Sequence, residues 1–313
     1  MPRFSLKNVL APLLVSLGIG CGAAPTGPAD VANLTLPGDS YYPESLTITA
    51  DGTLLVGSLG TGQVVRFAPG ATNAEVFLAA GSVKNVSGVL ADDEGAALYL
   101  CAVDLSGATA PSVKSFKLSD GSPLATYPLP AQSFCNDLAF DGQHNLYVAD
   151  SYGKIFRLPR GGSALAMWSS DAALAPTSAM AYGADGIAWD GKDGLYVNTF
   201  TEGALLRIPI KGDGSAGPAA RITVTPALSF PDGMRLLADS TLLVAEGAGR
   251  VSKVTISGTT ATATPLMQGL SGPTSVVRYQ QTAWISEGQL GHLFGQIAGP
   301  PTTPFSLRRL SLP

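Results

Sequence analysis

Several things are scarce in this 313-residue chain, and each scarcity removes a class of function. Charged residues make up 13% of it, 19 Lys and Arg against 23 Asp and Glu, for a net charge of −4. There is no basic patch or stripe, so the electrostatic footprint of a nucleic-acid-binding protein is missing. Histidines number two and cysteines three. After residue 21 no apolar run approaches the length needed to cross a membrane. No amphipathic helix stands out either. Ala172 to Ala181 contains Pro176 and reads as a loop.

Glycine and proline, by contrast, are abundant at 37 and 23 residues, above average usage. They fall between β-rich runs, where they mark turns rather than disorder. With 45% hydrophobic residues, the chain can bury a large core as a single all-β domain.

The first 21 residues read as a targeting segment. Arg3 and Lys7 give a positive start, Val9 to Ile19 is a short apolar core, and Gly18-Ile19-Gly20-Cys21 places small residues before a cysteine. The pattern resembles a bacterial lipoprotein signal, with Cys21 as the lipidated residue, although Gly18 stands where Leu is usual; an ordinary secretory signal is the alternative. Residues 22–32 are a tether, and 33–313 form the folded domain. The expected location is the bacterial cell envelope, with a lipid anchor as the sole membrane contact.

The folded part repeats one phrase six times: a polar residue, an apolar run, turn residues, then a second apolar run. It starts at Glu44, Ser87, Asn136, Asp185, Asp232 and Thr274, at intervals of 42 to 49 residues. A period in the forties with short strands in each unit is the mark of a β-propeller with one four-stranded blade per repeat. The expected fold is therefore all-β: a six-bladed propeller of antiparallel four-stranded blades, closed by a terminal strand from either Asn33–Leu36 or Phe305–Leu310. Each phrase is a hairpin, with turns such as Asp141-Gly142 and Asp190 to Gly194. The first residue of each phrase and the last of each second strand then lie at the same end of the central channel.

Two groups of polar residues fall at that end. Glu44, Asn136, Asp185 and Asp232 start four phrases. Asp150, Asn198, Glu246 and Glu287 end second strands; Asp137 and His292 lie beside them. Three carboxylates and a carboxamide crowded at a channel mouth would repel one another and raise their pKa values. A hard divalent cation relieves this, and an all-oxygen ligand set suits Ca²⁺ first, with Mg²⁺, Mn²⁺ or Zn²⁺ as alternatives. Taken singly, each of these residues is equally an ordinary strand-end Asp or Asn; their equivalence across four blades favours ligands. Ser87 and Thr274 are neutral, which offsets the site to one side of the channel. His144 falls in a turn at the opposite end and should be exposed. Cys101 and Cys135 lie near one rim in adjacent blades. Two buried free thiols are the expectation, and a disulfide is the alternative.

Pro231-Asp232-Gly233-Met234, Pro43-Glu44-Ser45, Cys135-Asn136-Asp137 and Asp185-Gly186-Ile187-Ala188-Trp189 resemble the blade motifs of the SMP-30/gluconolactonase/LRE-like family, the regucalcin-like six-bladed propeller hydrolases. The resemblance spans roughly residues 40–290. It implies that Glu44, Asn136, Asp185 and Asp232 bind a divalent cation and that Asp232 serves as base or nucleophile. Asp137, Asp150, Asn198, Glu246, Glu287 and His292, at the same rim, are the candidate second ring around the substrate. The family usually has Asn where this chain has Asp185; the extra charge should tighten cation binding and weaken the cation's action on substrate. The implied activity is metal-assisted hydrolysis of a lactone or related ester by a monomer acting on a small molecule. A non-catalytic propeller, stapled by a structural cation and serving as a binding platform, is the second reading, because fold alone does not choose a function.

Overall fold

A computed structural model describes residues 33–178 and 181–312 of the chain. The expected signal, tether and lipidation residue Cys21 lie outside the described residues. Within the described residues no helix is long and apolar enough to cross a membrane.

Six units of four antiparallel strands follow one another. Their innermost strands are Pro43–Ile48, Asn85–Asp92, Cys135–Phe140, Ala184–Trp189, Pro231–Ala238 and Pro273–Tyr279. Each packs against the inner strand of the next unit, and the sixth packs against the first, so the ring closes. Both candidate closing segments are used. Ser306–Ser311 is the third strand of the sixth blade, and Leu34–Thr35 pairs with it as the fourth, Leu34 opposite Leu307. The outermost strand of the last blade thus comes from the start of the described chain, and closure leaves no inner edge unpaired.

One departure from six separate blades appears. Blades four and five fuse at their outer edges, where Thr223–Thr225 runs parallel to Thr260–Thr262. Two four-stranded sheets become one of eight. Outer strands are where a propeller exposes edges, and this ladder covers two of them at once.

The hairpin turns follow the sequence. Asp141 accepts N–H bonds from Gln143 and Asn145 (2.9 and 2.8 Å), and Asp190 accepts them from Lys192 and Gly194 (2.8 and 3.0 Å). These side chains satisfy turn donors that no strand can reach. His144 sits in the first of these turns. It is half-buried rather than exposed, stacked on Phe140 (4.4 Å) with Nε2 3.0 Å from Asp92 of the neighbouring blade. The turns of adjacent blades touch, so a turn residue here has a neighbour. Ala172–Leu174 forms one 3₁₀ turn inside the segment expected to be a loop.

The core lies between blades rather than at the axis. Leu55 and Val64 of blade one pack with Val86, Val89 and Leu98 of blade two, all essentially without solvent contact. Each such side chain contributes about 1.5–3 kcal/mol when taken out of water. Cys101 and Cys135 are joined as a disulfide with Cα atoms 5.4 Å apart. It links the second strand of blade two, Ala97–Val103, to the inner strand of blade three. The expectation of two free thiols is corrected: the rim brings neighbouring strands within bonding reach, which spacing along the chain does not reveal.

Candidate functional site at the channel mouth

Every inner strand slips register with its partner at its first residues, between Pro43 and Ser45, Val86 and Val89, Cys135 and Leu138, Ala184 and Ile187, Pro231 and Met234, and Pro273 and Ser275. A bulge bends the strand and re-aims a side chain. The phrase-starting polar residue sits in each bulge, which is why it turns toward the axis while the strand below it remains regular. Two glycines follow from the same crowding. A Cβ on Gly186 would lie 2.3 Å from the Asp232 carbonyl oxygen, and one on Gly88 2.3 Å from that of Asn136. The inner strands could not approach this closely with side chains at those positions.

Glu44, Asn136, Asp185 and Asp232 are buried, between 4% and 8% exposed. All four line one cavity of about 590 Å³. Asn136 Nδ2 donates to Asp185 Oδ2 (3.1 Å) and to Ser151 Oγ (3.0 Å). Asp232 Oδ1 accepts from the Gly233 N–H (2.9 Å). Burial pushes the Asp185 carboxyl up to about 8, despite its bond to Asp232 and the Asn136 amide. Burial also pushes Asp232 well up, with repulsion from Asp185 and then Glu44 adding to it. Glu44 is raised by burial and then by the charges of Asp185 and Asp137. Asp185 Oδ1 is buried without a hydrogen-bond partner among the described residues. Among those residues no three His, Cys, Asp or Glu side chains converge closely enough to hold a metal ion by themselves; the Asn136 carboxamide is part of this set.

Ser87 and Thr274 bring no charge to the channel mouth, although Thr274 lines the cavity. Their hydroxyls donate to the Cys135 and Pro43 carbonyls of adjoining blades, at 2.6 and 2.9 Å. The site is accordingly offset toward blades one, three, four and five.

The second ring is corrected in part. Asp150, Glu246 and Glu287 each accept an N–H from the chain entering their own blade's inner strand: Phe134 (2.8 Å), Ser229 (2.7 Å) and Ser271 (2.8 Å). Glu246 also takes two bonds from Arg250 (both 2.7 Å) and one from Ser252 Oγ (2.6 Å). Burial raises the Asp150 carboxyl, with the Phe134 and Tyr152 N–H groups opposing it. Asn198 bridges blades, accepting from the Gly186 N–H (3.1 Å) and donating to the Asp232 carbonyl (2.6 Å). These four side chains hold backbone and do not line the cavity. The end of a second strand lies beside the entry of the first, so an acceptor there meets N–H groups before it meets the axis.

Asp137 is also engaged, by Arg235 of blade five: Nη1 to Oδ2 at 2.7 Å and Nη2 to Oδ1 at 3.1 Å. Arg235 was not among the sequence candidates. It follows the Pro-Asp-Gly-Met stretch, and its positive charge opposes the rise at Glu44. His292 does reach the cavity wall. It sits on the short helix Leu290–Leu293, and its Nδ1 lies 2.9 Å from the Gly299 carbonyl oxygen. Aromatic residues make the largest unanticipated contribution. Phe134, Tyr182, Phe200 and Phe230 form one wall, and Phe294 with Ile297 part of another. Aromatics before a strand or in a top loop have no spacing rule that would single them out.

No family model and no curated protein sequence matches the chain. Among solved structures, it is similar to a gluconolactonase of Xanthomonas campestris, with 18% identity, a TM-score of 0.66, and 91% of this chain and 90% of that one covered. A luciferin-regenerating enzyme gives 12% identity and a TM-score of 0.67 over 90% and 95% of the two chains. The PQQ-bound aldose sugar dehydrogenase of Streptomyces coelicolor gives 17% and 0.61 over 91% and 99%. At these identities the likeness shows that the chain has the propeller fold of these enzymes.

Proposed function

We propose that this protein is a hydrolase of a lactone or related ester that works with a divalent cation, Ca²⁺ first, at the channel mouth. One observation carries the reading: three buried carboxylates and one carboxamide share a cavity floor, with repulsion unrelieved and Asp185 Oδ1 unpartnered. Hard oxygen donors with surplus negative charge fit a hard cation. Glu44, Asn136, Asp185 and Asp232 are the residues that would hold it. When bound, such a cation polarises a carbonyl oxygen and offsets the negative charge that develops on it.

The chain's own groups divide the remaining work. Asp232 is the acid–base or nucleophilic carboxylate, since its environment holds its proton affinity far from that of a solvated Asp. Asn136 fixes Asp185 through its amide, and Asn198 fixes Asp232 through the backbone. Arg235 neutralises Asp137 beside the site, so that Asp137 adds less repulsion to Glu44. The aromatic wall limits water around the reacting bond. An oxidising compartment, in keeping with export, is supported by the Cys101–Cys135 disulfide.

The test is a panel of lactones, aryl esters and phosphotriesters with and without chelator, followed by Asp232→Asn at saturating Ca²⁺. Hydrolysis that chelation abolishes is expected, with a fall of at least roughly 10²-fold in Asp232→Asn. No turnover of any panel member by the parent protein would overturn the hydrolase reading and leave a binding platform.

A further inference from the structure

We infer that the substrate carries an extended apolar group, an alkyl chain or aryl ring, next to its reactive ester, and is not a polyhydroxylated sugar lactone. The inference rests on the hydrolase reading for its chemistry, but the shape and polarity of the walls stand without it.

The first observation is an arc of rings. Phe134, Tyr182, Phe200 and Phe230 follow one another around one side of the mouth, with centroids 6.2, 6.5 and 5.5 Å apart. Tyr182 remains 37% exposed and Phe230 47%; across the mouth, Phe294 is 42% and Ile297 52% exposed. Large apolar side chains left wet on one concave surface mark a binding site.

Phe230 adds a second, conformational observation. It sits at φ +52°, in the left-handed region that bulky residues seldom adopt. Tyr42, at the same position in blade one, has φ +44°. Both residues precede the proline that opens an inner strand, Pro231 and Pro43. The backbone turn is thus a device of the blade. The side chains differ: the Tyr42 ring packs on Phe305 at 4.8 Å, beside the core, whereas Phe230 touches Phe200 and leaves its ring half in the cavity. The same turn presents one ring to the protein and the other to whatever fills the mouth.

The third observation concerns polarity. Side-chain polar groups in the walls are largely spent inside the protein. Gln289 exchanges two bonds with the Thr302 backbone (2.9 and 2.8 Å), His292 Nδ1 meets the Gly299 carbonyl, and Thr201 Oγ1 accepts the Tyr182 N–H (2.9 Å). Among the described residues that line the cavity, the buried side-chain atom left without a partner is Asp185 Oδ1, on the floor. A sugar lactone offers hydroxyls on every side of its ring, and each one buried unpaired forfeits its bonds to water. An ester with an apolar tail needs polar contacts at one end alone. A polar floor under an aromatic mouth matches that second shape.

The experiment uses γ-lactams bearing no side chain, a butyl chain or an octyl chain, together with glucono-δ-lactone and the lactones corresponding to the three lactams. Lactams resist hydrolysis, so calorimetric titration of the Ca²⁺-loaded protein reads binding alone. Affinity should rise about fourfold per added methylene up to the depth of the mouth. This slope should flatten in Phe200→Ala/Phe230→Ala, whose altered rings are partly exposed, and persist in Met167→Ala on an outer strand. Affinity independent of chain length in the parent protein, or gluconolactone bound more tightly than the octyl lactam, would overturn the inference. A rising slope with no lactone, aryl ester or phosphotriester hydrolysed would sustain the apolar-ligand inference and remove the hydrolase reading, so the two fail separately.

Discussion

Two sets of acidic and amide residues stand at the same end of the channel and do opposite things. Glu44, Asn136, Asp185 and Asp232 start inner strands; Asp150, Asn198, Glu246 and Glu287 end second strands. Both sets are buried. The second set is bonded to the backbone of its own or a neighbouring blade, and Glu246 alone accepts four bonds from Ser229, Arg250 and Ser252. The carboxylates of the first set press on one another instead; Asp185 Oδ1 and Asp150 Oδ2 are both buried without a partner, but no neighbouring carboxylate raises Asp150. Burial alone therefore does not identify a functional carboxylate. What separates the first set is burial against like charge, which a protein otherwise avoids or neutralises.

The largest effect that would break this contrast is on stability. Glu246→Ala removes an acceptor shared by Ser229, Arg250 and Ser252, and should cost about 3 kcal/mol in denaturant unfolding. Its response to Ca²⁺ should remain that of the parent. Asp185→Asn removes a charge that lacks compensation, so in chelator it should change stability by no more than about 1 kcal/mol, while weakening Ca²⁺ binding. Equal losses from the two variants would erase the distinction between clamp and ligand.

How much of this was legible in the sequence divides along the same line. The repeat set the strand pairs, the blade number and the four floor residues, because a hairpin's ends depend on local turn chemistry and alternation. The fused edges of blades four and five, the Cys101–Cys135 bond and the Arg235–Asp137 pair depend on which strands meet across blades, and the chain encodes that without a short-range mark. The second-strand acids were misassigned for a related reason. Being at the rim is a matter of register, whereas facing the axis depends on a bulge at the start of the inner strand, and the second strand pairs regularly with the third. The aromatic mouth went unseen because Phe134, Tyr182, Phe200 and Phe230 sit in connectors at unequal spacings.

A smaller effect sharpens the contrast through pH. Glu44, Asp185 and Asp232 have folded-state pKa values above their unfolded ones, with Asp185 near 8. The folded protein then binds more protons than the unfolded one between about pH 4 and pH 8, so stability falls as pH rises through that window. In chelator the melting temperature should drop by a few degrees from pH 5.5 to pH 8.5, and saturating Ca²⁺ should flatten the dependence. A chelated protein that gains stability over that interval would show that the floor carboxylates are already compensated.

The central claim is that the floor residues hold one divalent cation, and calorimetric titration of Ca²⁺ into chelator-stripped protein tests it most directly. One Ca²⁺ should bind per chain, with a rise of several degrees in melting temperature as the ion loads the folded state, and both should be lost in Glu44→Gln/Asp232→Asn. Absence of binding heat with an unchanged melt in the parent protein, for Ca²⁺ and equally for Mg²⁺, Mn²⁺ and Zn²⁺, would contradict it.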